Sequence, residues 1–218
     1  MLVHPWDLTT GEDEWRAFVA GQGFGQLIAA GRDRVVPVVV PTQYVLDSDH
    51  LLLHLATPNP IWHAIEENPT VLLSVAGDWA FIPSAWKAIG DEDPQLGIPT
   101  TYYAAVQLVG TATVHDERHE PGSVADVLRR QLHGLQPGFA VADPAVAHPR
   151  QIQSILGISI AVDSVSGKFK YGGNVDEAHR LAVVDHLQER HGPGDTAAAD
   201  HLMRRLAGRE GGPSDRPR

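Results

Sequence analysis

The sequence contains no cysteine. That absence removes disulfides, iron–sulfur clusters, thiol catalysis and cysteine-type zinc sites in one step. No stretch approaches the roughly 20 apolar residues that a membrane-spanning helix requires, and the first seven residues show no basic region leading into an apolar run. A cytoplasmic protein without membrane contact is expected. An excess of positive charge is missing too. The formal net charge is -10, which disfavours a footprint on the phosphate backbone of nucleic acid, because such binding depends on basic groups releasing counterions. The densest basic cluster, Arg204, Arg205 and Arg209, precedes a polar tail and reads as a solvated helix end, so direct nucleic-acid binding is not expected.

Familiar catalytic signatures are absent as well. There is no GxSxG, HExxH or Walker sequence, and Gly21-Gln22-Gly23-Phe24-Gly25 lacks the strand before it and the helix after it that dinucleotide binding needs. Twelve histidines invite a metal reading, but pairs such as His115 with His119, or His186 with His191, lie on charged, loop-like or exposed helical ground. No metal site is expected.

What is present is an ordinary globular chain of 218 residues, 43% hydrophobic and 20% charged, long enough for a sizeable core. One principal domain over 1–207 is expected, with a helical extension from about 176 to 207 and a disordered tail over 208–218, which is too poor in apolar residues to offset its own ordering entropy. Thr10 with Asp13 three residues on reads as a helix N-cap, followed by Trp15, Phe18 and Val19 at helical spacing. Runs rich in β-branched and aliphatic residues predict about six strands, over 26–30, 35–40, 51–56, 70–75, 79–82 and 102–115, with a closing strand over 155–162. Asn59-Pro60 opens a helix that runs to Glu67, and Asn68-Pro69 ends it. Further helices are predicted from Pro121 to Leu135, around Leu181, Val184 and Leu187, and over 196–206. Between Lys87 and Pro99, Gly, Pro and three acids predict a mobile loop able to cover a site. Short strands with isolated helices and no regular strand–helix alternation point to a mainly β fold with α additions, an antiparallel barrel.

The run from His50 to Gly77 reads HLLLHLATPNPIWHAIEENPTVLLSVAG. Together with FIPSAWKA, IPTTYYAAVQLVGTA and KFKYGGN, it resembles the flavin-binding split-barrel superfamily, in its PaiB-type branch of FMN-binding negative transcriptional regulators. His54 to Trp62 follows that branch's HxAxxNPxW pattern. Pro83-Ser84-Ala85-Trp86 stands at its PSWY-like segment and Pro99-Thr100-Thr101-Tyr102-Tyr103 at its PTWNY-like segment, without the indole. Lys170-Tyr171-Gly172-Gly173-Asn174 replaces a lysine followed by SQN, which marks a divergent subgroup.

The resemblance implies a six-stranded antiparallel split β-barrel, a homodimer, and FMN held between subunits. The positions it singles out for cofactor contact are His54, Ala56, Thr57, Asn59, Trp62, Trp86, Thr100, Thr101, Tyr102 and Lys170. The chemistry of several is suitable in its own right. The Thr57 hydroxyl, the Asn59 amide and the N–H groups opening the helix after Pro60 are donors suited to a phosphate. The strand from Val35 to Thr42 offers backbone groups to the pyrimidine edge of the isoalloxazine ring. Each position also has a plainer reading: His54 as a hydrogen-bonded core histidine, Asn59 as a cap, Trp62 as core or interface, and Lys168 and Lys170 as a surface strand.

Three functions follow. The first is a flavin-dependent oxidoreductase or flavin-binding regulator acting on a small molecule, in which the flavin carries the chemistry. The second is a haem b enzyme, since the piperazate synthases, which close an N–N bond, resemble the same branch; His54 or His63 is then the axial ligand, with Tyr102 or Tyr103 as a phenolate alternative. The third is a non-enzymatic transcriptional regulator, against which stand the acidic charge and the lack of a helix-turn-helix pattern.

Overall fold

The computed structural model describes residues 1–120 and 122–207. The expected helix start at Pro121 and the expected disorder of 208–218 therefore lie outside the described residues. Among the described residues seven strands form one sheet: β1 (Phe24–Ala29), β2 (Val38–Gln43), β3 (Val45–Asp47), β4 (His50–Ala56), β5 (Thr70–Ile82), β6 (Thr100–His115) and β7 (Ile155–Lys170). The spatial order is β2-β1-β5-β6-β7-β4-β3, and β1 with β2, β1 with β5, β3 with β4 and β4 with β7 pair antiparallel. The fold is α+β, of split-barrel type.

The count is seven rather than six for physical reasons. β3 is three residues long, too short for any alternation to register before the turn at Ser48, whose φ is +55°. The two strands expected over 70–75 and 79–82 are one, because Asp78 takes a φ of +51° within β5 without ending it. β2 starts at Val38 rather than Val35, after Pro37, and as an edge strand it tolerates Pro41 inside it. β7 continues to Lys170 instead of stopping at Val162, so Lys168 and Lys170 lie on a strand.

Among the described residues seven α-helices accompany the sheet: α1 (Glu12–Gln22), α2 (Ile61–Glu67), α3 (Ser123–Leu135), α4 (Pro144–Ala147), α5 (Pro149–Ile152), α6 (Glu177–Arg190) and α7 (Asp195–Ala207). α1 is capped by Gly11 with no side-chain bond rather than by Thr10, and it ends at Gly23 in the left-handed conformation, φ +57°, that glycine adopts without strain. α6 has a side-chain cap: Asp176 accepts from the His179 N–H. α4 and α5, four residues each, were not anticipated. Among the described residues no helix is long and apolar enough to cross a membrane.

The described residues group into two compact units. The first comprises 11–75 and 106–166, and the second 1–10, 76–105 and 167–207. In the first, Leu27, Leu51, Leu53, Leu73, Val106 and Ile158 are fully buried on the strands. Their removal from water is the main stabilising term, at about 2 kcal/mol for each large aliphatic side chain. In the second, Ile82, Tyr102, Phe169, Tyr171, Leu187 and Leu202 form the interior. Arg205, read as part of a solvated helix end, instead donates to the Leu8 carbonyl at 3.0 Å and lies over the Phe169 ring.

Candidate functional site

In the first unit, β4 ends at Ala56 and the chain turns through Thr57 to Pro60 into α2. Prolines at 58 and 60 supply no N–H and cannot continue the strand ladder, which forces the turn. The Thr57 N–H reaches the Ser154 carbonyl at 2.9 Å and the Asn59 N–H reaches the Ala56 carbonyl at 3.0 Å. Asn59 then closes the helix start: its Oδ1 accepts from the Ile61 N–H at 3.1 Å and its backbone carbonyl from the Trp62 N–H at 3.4 Å. The N–H groups expected to be free after Pro60 are thus taken at Ile61 and Trp62, because the side chain of Asn59 folds back onto the first and its backbone carbonyl meets the second.

What the turn leaves open is the Thr57 hydroxyl, which is buried and has no hydrogen-bond partner. An unmet buried hydroxyl costs about 1–3 kcal/mol, so it is a donor in need of an acceptor. The Asn59 side-chain NH2, beside it in sequence, is engaged by nothing among the described residues. Trp62 uses its indole Nε1–H on the Ala56 carbonyl at 2.9 Å, which fixes the ring against the strand end. Its ring lines a groove of about 600 Å³ with Ile65, Pro69, Ala112, Val114 and the Asp116–Arg118 ion pair. That pair holds the Asp116 carboxyl below the usual carboxylate range, chiefly through the Arg118 side-chain hydrogen bond.

His54, on β4, bonds through Nδ1 to Gln131 Oε1 of α3 at 2.6 Å, and Gln131 Nε2 donates to the Gln43 carbonyl at 3.4 Å. With the amide so oriented, Nδ1 carries the proton and Nε2 the lone pair. Gln131 is 1% exposed, so a buried partner accounts for His54 as a packed histidine. His63, by contrast, has a side chain 81% exposed, with Glu66 at 3.9 Å.

Trp86, Thr100, Thr101, Tyr102 and Lys170 lie in the second unit, apart in that division from the group around Thr57. Trp86 stacks on His186 at 5.1 Å and carries the Arg190 guanidinium at 4.5 Å over its ring, so α6 accounts for its position. Lys170 Nζ donates to Thr100 Oγ1 at 2.6 Å. Thr101 is half-buried on β6. Tyr102 is 2% exposed, its hydroxyl has no hydrogen-bond partner, and burial pushes it up to about 12. Gly172, at φ +68°, lets the backbone close over that hydroxyl: a Cβ there would stand 2.5 Å from it.

Two polar residues at these places carried no motif in the sequence. Gln131 sits on the buried face of α3 among apolar neighbours, where only a partner such as His54 explains a glutamine. Lys87, at the end of a short 3-10 turn over Ser84–Lys87, has its Nζ 5.9 Å from the centre of the Tyr102 ring; the scarcity of lysine in the chain was the available signal.

Comparison with known proteins agrees with this architecture. A sequence profile of the family described as "Putative FMN-binding domain" matches residues 3–164. The protease synthase and sporulation protein PAI 2 of Bacillus subtilis (strain 168) is 23% identical over 202 residues, which cover 91% of this chain and 94% of that one. Among solved structures, the FAD and haem binding protein from Mycobacterium smegmatis superposes with a TM-score of 0.57 at 16% identity, covering 80% of this chain and 78% of that one. A flavocytochrome from Azotobacter vinelandii gives 0.55 at 20% identity, covering 81% and 75%. At such identities the two structures speak for the fold, while the profile spans most of the sequence: the chain belongs to the FMN-binding domain family, on a split-barrel fold.

Proposed function

We propose that this protein binds FMN through the turn between β4 and α2 and acts, as a homodimer, as a flavin-dependent oxidoreductase on a small molecule. The observation that carries the reading is the buried, unpartnered Thr57 hydroxyl in a chain of this family. The residues present suit the group. The Thr57 O–H and the Asn59 NH2 are uncharged donors for phosphate oxygens, and a hydrogen bond to a charged acceptor contributes about 1.5–3 kcal/mol. β2 pairs with β1 alone, so its outer edge keeps backbone donors and acceptors for a flat heterocycle. Val36 and Val39, 70% and 50% exposed on and before that edge, suit apolar contact with a ring or a second subunit. FMN, when bound, supplies hydride chemistry; the protein's part is to hold it, orient it and shield it from water.

The test is FMN titration followed by absorbance and fluorescence, with Thr57→Val beside the parent. Loss of that hydroxyl is expected to weaken FMN binding about ten- to a hundredfold. Thermal stability should stay level or rise, since an unmet polar group is removed from the interior. Equal FMN affinity in the two proteins would sink the assignment of this turn. Sedimentation should give a particle of twice the 23.6 kDa chain mass; a monomer that keeps its flavin would remove the dimer from the proposal.

A second reading has one observation behind it. His54 presents an Nε2 lone pair whose ring is oriented by Gln131, the arrangement of a metal-ligating imidazole steadied by a neighbouring carbonyl. Haem binding through His54 would show as a Soret band that His54→Ala abolishes and His63→Ala leaves intact.

A further inference from the structure

The loop between Lys87 and Pro99 joins the Ser84–Lys87 turn to β6 and lies wholly in the second unit. It has little apolar anchorage: residues 91–96 are exposed, and Leu96 and Ile98 are 80% and 77% exposed. It nevertheless lies down on the turn. A Cβ at Gly97 would stand 2.1 Å from the Ser84 carbonyl oxygen and 3.3 Å from Lys87 Cβ, so the approach needs glycine. Three of the loop's bonds are local: the Ile89 N–H to the Glu92 carboxylate at 3.0 Å, the Leu96 N–H to the Asp93 carbonyl at 3.0 Å and the Gln95 N–H to the Asp93 carboxylate at 2.9 Å. A tie to another element runs from Glu92 Oε2 to Nε2 of His179 on α6, at 2.9 Å and across 87 positions of the chain.

His179 is bonded at both ring nitrogens. Nδ1 meets the Asp176 carboxylate oxygens at 2.7 and 2.9 Å, within the cap of α6, and Nε2 meets Glu92. Ionised carboxylates only accept, so both nitrogens have to donate, and a ring that donates twice is an imidazolium. When its proton leaves, one of the two bonds has no hydrogen. The Nδ1 bond lies within one helical turn, where Asp176 also takes the His179 N–H at 3.1 Å. The Nε2 bond must in addition offset the ordering of a loop, so it is the one lost. Glu92 and Asp176, which already repel, are then left without a cation between them. Other charged groups are turned elsewhere. Asp91, Asp93 and Glu177 are exposed, and Arg180 sets its Nε 3.4 Å from the Asp176 backbone carbonyl. Of the elements packed on α6, the 3-10 turn has Lys87 over the Tyr102 ring, and α7 has Asp195 on Arg190 and His201 on Asp78.

We propose that the 88–99 loop is a strap, held closed over the Ser84–Lys87 turn by the proton that His179 shares between Asp176 and Glu92, and released as pH rises. The direction follows from linkage. Asp176 first and Glu92 second raise the ring pKa above its ordinary value, so closure is complete below the open-strap pKa and lost as pH rises through the closed-strap one. Release uncovers the turn that carries Trp86 and Lys87. The strap goes beyond the flavin reading and stands without it, since each group in it belongs to the second unit and the Thr57 turn to the other.

The test uses the full chain, labelled with 15N and without flavin, titrated by NMR from about pH 5.5 to 8.5. The readouts are the two ring nitrogens of His179 and the solvent-exchange protection of the Ile89, Gln95 and Leu96 amides, corrected for the intrinsic pH dependence of exchange. Loop protection is expected to fall about fivefold, with the midpoint at which His179 loses its proton. Glu92→Gln should remove that fall, because a neutral amide can donate to Nε2 as well as accept from it and so holds the loop in either state. Glu92→Ala should leave the loop open at every pH while the α6 amides keep their protection, which separates loss of the strap from loss of the fold. Loop protection that stays level while His179 deprotonates overturns the proposal, as does a Glu92→Gln loop that opens with the parent's midpoint. FMN is added in a separate arm: a chain that takes up no flavin yet shows the coupled titration would end the proposed function and leave the strap standing.

Discussion

The two compact units treat positive charge differently. In the first, arginines are matched to carboxylates: Arg16 to Glu12 and Asp49, Arg34 to Glu67, Arg118 to Asp116, and Arg130 to Asp47. In the second, Arg190 pairs with Asp195 in the same way, yet Lys170 donates to a neutral hydroxyl, that of Thr100, at 2.6 Å. Charges that already hold a partner explain local geometry; charges left without one point to something the fold is made to receive. The same contrast separates the saturated Ala56 carbonyl, which takes two donors, from the Thr57 hydroxyl beside it, which has none.

That contrast can be broken most forcefully at Asp195. Its side chain is 1% exposed and accepts from Arg190 at 2.5 Å and from the Gly192 N–H at 2.7 Å. Asp195→Ala should cost about 2–3 kcal/mol in urea denaturation, as expected when one partner of a buried pair is removed. Arg190 lowers the Asp195 pKa first, against burial, so the folded carboxyl titrates below its unfolded value. Its contribution is therefore complete above the unfolded pKa and lost as pH falls through the lower folded one. Arg16→Ala tests a more exposed match in the first unit; thermal denaturation should register a loss of no more than about 1 kcal/mol. Lys87→Met should move the other way. Its melting temperature should equal or exceed that of the parent, because an ammonium that burial holds below its ordinary pKa is removed; a clear loss would make Lys87 a structural residue.

The smallest expected effect is at His179, which bonds Asp176 first and Glu92 second and whose pKa is raised by both. A raised histidine stabilises the fold fully below its unfolded value, and that contribution is lost as pH rises through the folded one. His179→Gln should flatten the pH dependence of the melting temperature just above pH 6.5, leaving stability above that window unchanged.

Element types were legible where pattern and punctuation agreed. Asn59-Pro60 and Asn68-Pro69 bracket α2, and the apolar face of α3 is plain from Val124 and Val127. Boundaries failed where no side-chain period marks them. β3 is too short to show one, and β7 outlasts its apolar run because Lys168 and Lys170 alternate with Phe169, whose burial is what keeps them in the strand. Asn59 was read both as a cap and as a phosphate donor. Its carbonyl oxygen serves the first role, and only its NH2 remains for the second.

From the sequence alone came the class of fold, the exclusion of cysteine chemistry and the resemblance to flavin-binding split barrels, because composition, alternation and the order of motifs are local properties of the chain. Tertiary structure decided which donors are spent and which are open. That the Ile61 and Trp62 N–H groups are taken while the Thr57 hydroxyl is not depends on how a turn closes in space. That Lys170 reaches the Thr100 hydroxyl at 2.6 Å, 70 positions away in the chain, depends on strands far apart in sequence being brought together, and such a contact is a matter of distance, which no order of residues states.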